Sequence, residues 1–330
     1  MASHFEQITI APLTGPAEDF APFTYPRFRP ALSQLSEDGA QTEDISGTIH
    51  AVGARNGEQP IGLALIQVLP ETAERKRCAA RVLSVMVGRH NRQDGVGKAL
   101  LRFLEQYAGS QGALDLFTQY SAQTKERAAF EALLSSCGWS PPALLEFRLS
   151  GHADWTERVA DLWRPMLARM HRQGYSSTPW ADITDADRSD AEAVVSEGLI
   201  HPLLDFKLFE PHMDPAVSIA LRQNDKLVGW VLGETLPSTG YHHYTCGHVR
   251  PKLQRSGWLI GGIYDVCVLQ HEAYGAKSVA AYETFGENTA MINFMRRKLS
   301  DVTLWMDERF QSSKPLVKSR QSSAQDQHQI

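Results

Sequence analysis

Val87-Gly88-Arg89-His90-Asn91-Arg92-Gln93-Asp94-Gly95-Val96-Gly97-Lys98-Ala99-Leu100-Leu101 is the stretch from which the rest of the chain can be read. A β-like run, Arg81-Val82-Leu83-Ser84-Val85-Met86-Val87, leads into it. After it, apolar residues fall at Val96, Leu100, Phe103, Leu104 and Tyr107, the spacing of one helix face. The pattern is a strand, a polar turn and a helix N-terminus. Gly95 and Gly97 carry no Cβ, so a ligand can approach the backbone closely there. The free N–H groups of a first helical turn point at whatever docks, and the helix dipole favours an anion. With the positive charge of Arg92 beside them, these first-turn amides form a candidate pyrophosphate cradle. The turn contains neither G-x-G-x-x-G nor G-x-x-x-x-G-K-[ST], which argues against dinucleotide and P-loop sites.

The whole chain sets the bounds. Its 330 residues suffice for two domains of ordinary size, and 42% hydrophobic with 22% charged residues is a globular composition. A net charge of −5 and a pI near 6.2 argue against general nucleic-acid binding. Cys78, Cys137, Cys246 and Cys267 are scattered, without a C-x-x-C pair, so neither a zinc site nor a disulfide framework is expected. Met1–Glu6 shows no basic-then-apolar leader, and no apolar run reaches spanning length. The expectation is a cytoplasmic protein with reduced thiols and no membrane partner.

In order along the chain, Gln7–Ala11 alternates as a first strand, Pro16–Leu35 reads as broken helix and loop, and Ser36–Asp44 as a flexible surface segment. Thr48–Gly53 and Ile61–Val68 are strands joined by Arg55-Asn56-Gly57-Glu58, whose Asn-Gly is a hairpin signal. After the central stretch come a strand at Leu114–Tyr120, a helix at Lys125–Cys137 and a strand at Leu145–Leu149, expected to close a first sheet. Domain one is placed at 1–150. Domain two, 151–311, opens with an amphipathic helix from Trp155 to Met170 in which Pro165 predicts a kink. Gln173–Asp190 reads as a long loop, a lid or a plain connector. Ala216–Leu221 and Leu227–Glu234 repeat the hairpin pattern. The tail, 312–330, is polar and expected to be disordered.

The two halves align. Val249-Arg250-Pro251-Lys252-Leu253-Gln254-Arg255-Ser256-Gly257-Trp258-Leu259 lies 162 residues after the central stretch, and at that offset Arg92 meets Gln254, Gly95 meets Gly257 and Tyr120 meets Tyr282. The hairpins align at 167, Gly62 with Gly229, as a small insertion would produce.

On these residues the chain resembles the GNAT N-acetyltransferases. The resemblance rests on their acyl-CoA-binding turn, [QR]-x-x-G-x-[GA], filled here by Arg92, Gly95 and Gly97. Glu287–Ile292 resembles the asparagine-then-helix signature late in that family, so the resemblance covers most of residues 5–310 as two tandem GNAT-like domains of mixed α/β type. It departs at Leu259, which replaces the second small residue in domain two. The general-acid tyrosine of many GNAT enzymes would fall at Leu133 or Leu134, and at Met295. The family's closing Gly-Phe is Gly138-Trp139 in domain one and Leu299-Ser300 in domain two.

The resemblance implies acetyl-CoA or a related acyl-CoA as co-substrate. Val85 and Val87 would lie along the pantetheine arm, the Arg92–Lys98 amides would hold the pyrophosphate, and an N–H near Val87 would polarise the thioester. A small-molecule amine would then attack directly in a ternary complex, which needs a base for the ammonium proton and an acid for the thiolate. Tyr120 and Tyr282, at equivalent strand ends, and Glu234 and Glu283 are the candidates; each is also a plausible packing or solvated residue. His242 and His243 point to opposite faces of a strand, which argues against a shared metal, so no metal is assigned. His90 and Lys98 are further phosphate candidates, with ordinary solvated roles nearly as good. The alternatives are a non-catalytic CoA-binding or protein-interaction module and a protein-lysine acetyltransferase. Monomer and homodimer both remain open, as does the domain that works.

Overall fold

The computed structural model describes residues 8–42, 45–72, 77–254 and 256–316. They fall into two units, residues 8–144 with 309–316, and Leu145–Glu308. Unit 1 contains β1 (Ile8–Pro12), α1 (Arg29–Ser33), β2 (Ala40–Thr42), β3 (Ile45–Asn56), β4 (Gln59–Leu69), β5 (Ala79–Val87), α2 (Val96–Ser110), β6 (Asp115–Ser121) and α3 (Arg127–Ser136). The β3–β4 hairpin turns at Asn56-Gly57, as the dipeptide demands. Unit 2 begins with most of β7 (Ala143–His152), then α4 (Trp155–Arg172), β8 (Tyr175–Pro179), α5 (Asp185–Ser196), β9 (Ile219–Gln223), β10 (Lys226–Thr235) and β11 (His242–Val249). It continues through α6 (Trp258–Tyr274), β12 (Val279–Phe285), α7 (Thr289–Lys298) and the start of β13 (Thr303–Pro315).

The sheets run β1-β3-β4-β5-β6, with β2 on β3, in unit 1, and β7-β12-β11-β10-β9-β8 in unit 2. Each is antiparallel except at one place, β5–β6 in unit 1 and β11–β12 in unit 2. Both are packed by their own helices. In unit 1 one face buries Leu100, Leu101 and Leu104 of α2 and the other Phe20, Leu32 and Leu65. In unit 2 Trp180, Phe206 and Trp230 form an aromatic core.

Four expectations need correction. The strand containing Leu145–Leu149 does not close the first sheet. It pairs with β12, Leu149 opposite Tyr282, while Arg309–Pro315 of β13 pairs with β6, Phe310 opposite Tyr120. The final strand of each unit is thus supplied by the other half of the sequence. Alternation tells which face of a strand is buried, not which edge it joins. Ser312–Pro315, expected in the tail, is therefore ordered strand, with Lys314 Nζ 2.6 Å from Glu105 Oε2. Trp139 Nε1 donates to the other oxygen of that buried carboxylate at 2.7 Å. Residues 317–330, Gln7, Glu43, Asp44 and Arg255 lie outside the described residues. The Ser36–Asp44 segment contributes β2, whose Ala40 is buried against β3. Gln173–Asp190 is not a long loop but β8, a short 3-10 turn and the start of α5. Trp180, inside that segment, is 1% exposed and donates to Glu210.

The missed helix had a signal, Thr184-x-x-Asp187. Asp187 N donates to Thr184 Oγ1 at 3.1 Å while Thr184 N donates to Asp187 Oδ2 at 3.0 Å, a capping box. Arg222 on β9 closes the network with two hydrogen bonds to Asp187, at 2.8 and 3.1 Å. That guanidinium, with the Thr184 donors, holds the Asp187 carboxyl down to about 2. A depressed carboxylate stabilises the fold above its unfolded pKa of about 3.9 and loses that contribution as pH falls toward the folded value. Asp187→Asn is expected to cost about 3 kcal/mol in urea unfolding at pH 7, with the difference from wild type shrinking between pH 4 and pH 2. A gap that stays constant over that range would exclude ion-pair stabilisation.

Candidate active site

In unit 1 the site begins with a β-bulge. Leu65 pairs with Ser84 and Ile66 with Val82, so Leu83 is the extra residue and bends β5. The parallel pairing of β5 to β6 ends at Val82 and Thr118, although the strands continue to Val87 and Ser121. Thr118 Oγ1 donates to Val82 O at 3.0 Å and marks the vertex of the resulting V. Val85 and Val87 lie in its open arm, half-buried and still paired to β4 through Ala64 and Gly62.

The chain leaves β5 through Gly88, whose N–H donates to Ile61 O at 2.8 Å, and passes a 3-10 turn at Arg89–Asn91. Exposed Gln93 and Gly95 both have positive φ, +70° and +82°. Such strain at a non-glycine residue concentrates at functional turns. Gly95 is the N-cap of α2 and offers no side-chain cap. The N–H groups of Val96, Gly97 and Lys98 therefore find no acceptor among the described residues, and the first cap hydrogen bond is Ala99 N to Gly95 O. A Cβ on Gly95 would meet nothing within 4 Å, so the approach to these amides is open. Val96 contributes its amide only, its side chain lying 3% exposed in the core. Asp94 is exposed, and Lys98 half-buried. The Arg92 side chain turns back. Its Nε donates to Val87 O at 3.1 Å and its Nη1 reaches Glu126 at 3.4 Å, so it ties the turn to the end of β5.

Unit 2 repeats this construction. Arg250 N donates to Val228 O, and Gln254 Nε2 to Val249 O at 3.3 Å, in the places of Gly88–Ile61 and Arg92–Val87. Gly257 caps α6 with a φ of +87°. Pairing of β11 with β12 ends at Tyr244 and Tyr282, after a bulge between Leu232 and Glu234, and the strands again diverge. One difference is steric. Leu259 stands where unit 1 has Gly97, and its Cδ1 lies 3.2 Å from where a Cβ on Gly247 would be, covering the open arm of β11.

The ionisable groups differ too. Tyr120 is 8% exposed between Phe130 and Phe310, with its hydroxyl donating to Glu131 at 3.2 Å. Tyr282 is 5% exposed, stacked on Tyr244, with its hydroxyl against Cys267 Sγ. Burial raises the pKa of both phenols and pushes the Cys267 thiol up to about 11. Both tyrosines face the packed interiors of their units. Glu234 and Glu283, by contrast, meet at one side chain that the sequence reading had set aside. His243 Nδ1 lies 3.4 Å from Glu234 Oε1, and His243 Nε2 lies 3.4 Å from Glu283 Oε2. Arg148 on β7 stands 3.6 Å from Glu283 and 3.5 Å from Glu146. His243 is one residue short of the vertex, and its side chain keeps 16% exposure. Burial opposes its charging, but the Glu283 and Glu234 carboxylates outweigh burial and raise its pKa. Its neighbours are unlike it. Burial lowers His242, which hydrogen-bonds Thr235, and takes His248 down to about 4. The signal that could have found His243 is register. Antiparallel pairing puts it opposite Glu234, and parallel pairing puts it beside the strand that carries Glu283.

Comparison with known proteins bears on the fold. Residues 17–134 match the acetyltransferase (GNAT) family model. No curated protein matches the chain in sequence. Among solved structures, the GCN5-related glucosamine N-acetyltransferase region of a fungal multi-domain GH3 β-N-acetylglucosaminidase is similar at TM-score 0.54 and 15% identity. That match covers 82% of this chain and 33% of the other, so this chain spans about a third of that protein's length. A GCN5-related N-acetyltransferase from Sphaerobacter thermophilus is similar at TM-score 0.52 and 14% identity, over 94% of this chain and 96% of that one. A tandem GNAT protein from the clavulanic acid biosynthesis pathway matches with TM-score 0.49 and 14% identity, over 94% and 99%. Among the described residues no helix is long and apolar enough to cross a membrane. The chain has the GNAT fold, and residues 17–134 of its first unit match the acetyltransferase (GNAT) family model.

Proposed function

We propose that the protein is an acyl-CoA-dependent N-acetyltransferase that acts on the primary amine of a small molecule. The observation that carries this reading is the unit 1 cradle, with three amides of α2 that find no acceptor among the described residues, beside a strand arm that has lost its parallel partner. The amides and the positive end of α2 suit a pyrophosphate. The open edge of Leu83–Val87 suits a pantetheine arm, whose amides would hydrogen-bond as a strand does. Held there, the thioester carbonyl is attacked by the amine nitrogen. The C–N bond forms, the negative charge on oxygen is met by backbone N–H, and collapse expels the thiolate.

A second reading concerns where transfer occurs. Around the unit 1 vertex stand Thr24, Ser84, Thr118 and Gln119, none of which accepts a proton near neutral pH. Around the unit 2 vertex stand Glu234, His243 and Glu283, which do. On this second reading transfer takes place wholly in unit 2, with the acyl-CoA bound beside that unit's own vertex, and unit 1 is an acyl-CoA-binding module. Tyr120, held by Glu131, and Tyr282, enclosed with Cys267, are weaker acid candidates than His243 is a base. The test of the activity is release of free CoA from acetyl-CoA in the presence of a panel of small primary amines. Amine-dependent release is expected. Tight acetyl-CoA binding with no release across the panel would leave a binding module.

A further inference from the structure

Arg81 is a half-buried cation that pairs with no carboxylate among the described residues. It lies on β5 between Gln67 of β4 and Phe117 of β6. Ala80 and Val82 point into the core under α2, so Arg81 and Leu83 face the opposite side of the sheet, where Leu83 packs near Phe28 and Leu32. Among the described residues Arg81 makes no ion pair and no side-chain hydrogen bond. Three other arginines of the same unit are matched, Arg55 with Asp19, Arg92 with Glu126 and Arg127 with Glu131. Instead of an acid, Arg81 has two more guanidiniums acting on it, Arg27 from the 3-10 turn at Pro26–Phe28 and Arg309 from β13. Burial together with those two like charges depresses its pKa.

Register places these groups on one surface. Arg309 is opposite Ser121, Gln311 opposite Gln119, and Ser313 opposite Phe117, which is itself beside Arg81. Arg309 Nη2 donates to Gln119 Oε1 at 3.1 Å, and Gln119 Nε2 to Gln311 Oε1 at 3.0 Å. The cationic face therefore borders the vertex where β5 and β6 part, on the side of the sheet away from α2. Partly desolvating a guanidinium beside like charges is unfavourable unless an anion compensates it. Arg222 of unit 2 shows the compensated case, held by both oxygens of Asp187.

We propose that this face of unit 1 binds a small-molecule oxyanion, a carboxylate or a phosphate group, through Arg81 with Arg27 at its rim. Where unit 1 receives the acceptor, that acceptor is an amine that also carries an acid group. This second part rests on the acetyltransferase reading, and the oxyanion site itself does not.

The test is thermal unfolding of the full chain at low ionic strength, in succinate, in inorganic phosphate and in chloride at matched ionic strength. Succinate or phosphate is expected to raise Tm by about 3 °C more than chloride does. Succinate alone would mark a carboxylate site, phosphate alone a phosphate site, and either supports the proposal. Arg81→Gln is expected to lose the anion-specific shift, and Arg27→Gln to weaken it. Gly97→Leu, which fills the coenzyme cradle, is expected to retain it, and this separates the face from the pyrophosphate site. In chloride, Arg81→Gln is expected to unfold at or above the wild-type Tm, because it removes an uncompensated charge; a merely structural arginine would lower it. The proposal is overturned if neither anion exceeds chloride, if Arg81→Gln keeps the full shift, or if Gly97→Leu abolishes it. A failed amine screen with the anion shift intact would remove the acceptor assignment and leave the oxyanion site.

Discussion

His243→Gln is expected, where transfer takes place in unit 2, to lower amine-dependent turnover by about 10²–10⁴-fold, the usual contribution of a positioned general base, while leaving the affinity for acetyl-CoA within about twofold. Glutamine keeps the approximate size and can still donate to Glu234 or Glu283, but it cannot take a proton. The two carboxylates, each 3.4 Å from one imidazole nitrogen, make His243 the better base by stabilising its charged form. The pH dependence gives a sharper reading. A base works when unprotonated, so the rate should rise as pH climbs through the His243 pKa, which lies above the ordinary value of about 6.5. Glu283→Gln removes one stabilising charge and should move that rising limb to lower pH. Stability must change in the matching direction. A raised folded pKa contributes stability that is present below the unfolded pKa and lost as pH rises through the folded one. His243→Gln should therefore cost more stability near pH 5.5 than near pH 8.5. Unchanged kcat with an unchanged pH profile would remove His243 from the chemistry.

How far the sequence carried the argument depends on the range of the interactions. The Asn56-Gly57 hairpin and the Gly95 N-cap were legible because each is set by residues within a few positions of one another. The duplication was legible because it repeats local features. The hydrogen bonds Gly88–Ile61 and Arg250–Val228 fall at matched places, and so do Arg92–Val87 and Gln254–Val249. The exchange of β7 and β13 was not legible. Leu149 and Phe310 both read as strand residues, and nothing within a few residues of either names its partner strand. The same limit hid both ionisable clusters. Glu234 and Glu283 were chosen as separate strand-end carboxylates, and only the sheet register brings both to His243. Arg81 gives no local signal, because an arginine in a strand stands out only once its burial and its lack of an acidic partner among the described residues are known. By contrast α5 was a missed opportunity, since Thr184-x-x-Asp187 stood in plain view inside a segment read as loop.

Gly97→Leu is expected to weaken acetyl-CoA binding at least about 100-fold, about 2.7 kcal/mol, while leaving the fold as stable as wild type or more so. The opposite signs make this a strong test. A Cβ at position 97 would sit 3.6 Å from Val87 Cγ2 and 3.8 Å from Leu133 Cδ2, ordinary contact distances, so the backbone has room for a side chain. Replacing glycine inside a helix with leucine gains roughly 0.7 kcal/mol of helix propensity. The extra carbons, however, extend over the open arm of β5, as Leu259 already covers Gly247 in unit 2. A diphosphate and its pantetheine arm need that space, and an aliphatic side chain offers no hydrogen bond in return. The reciprocal change, Leu259→Gly, should uncover the unit 2 arm at a cost of about 2–4 kcal/mol in stability, from lost packing and a glycine near the start of α6. Titration calorimetry on the two variants separates the units. Loss of the wild-type site in Gly97→Leu, with a new or tighter site in Leu259→Gly, is the expected pair of results. Undiminished binding in Gly97→Leu would move the coenzyme out of unit 1, and the unpaired amides of Val96, Gly97 and Lys98 would then need another ligand.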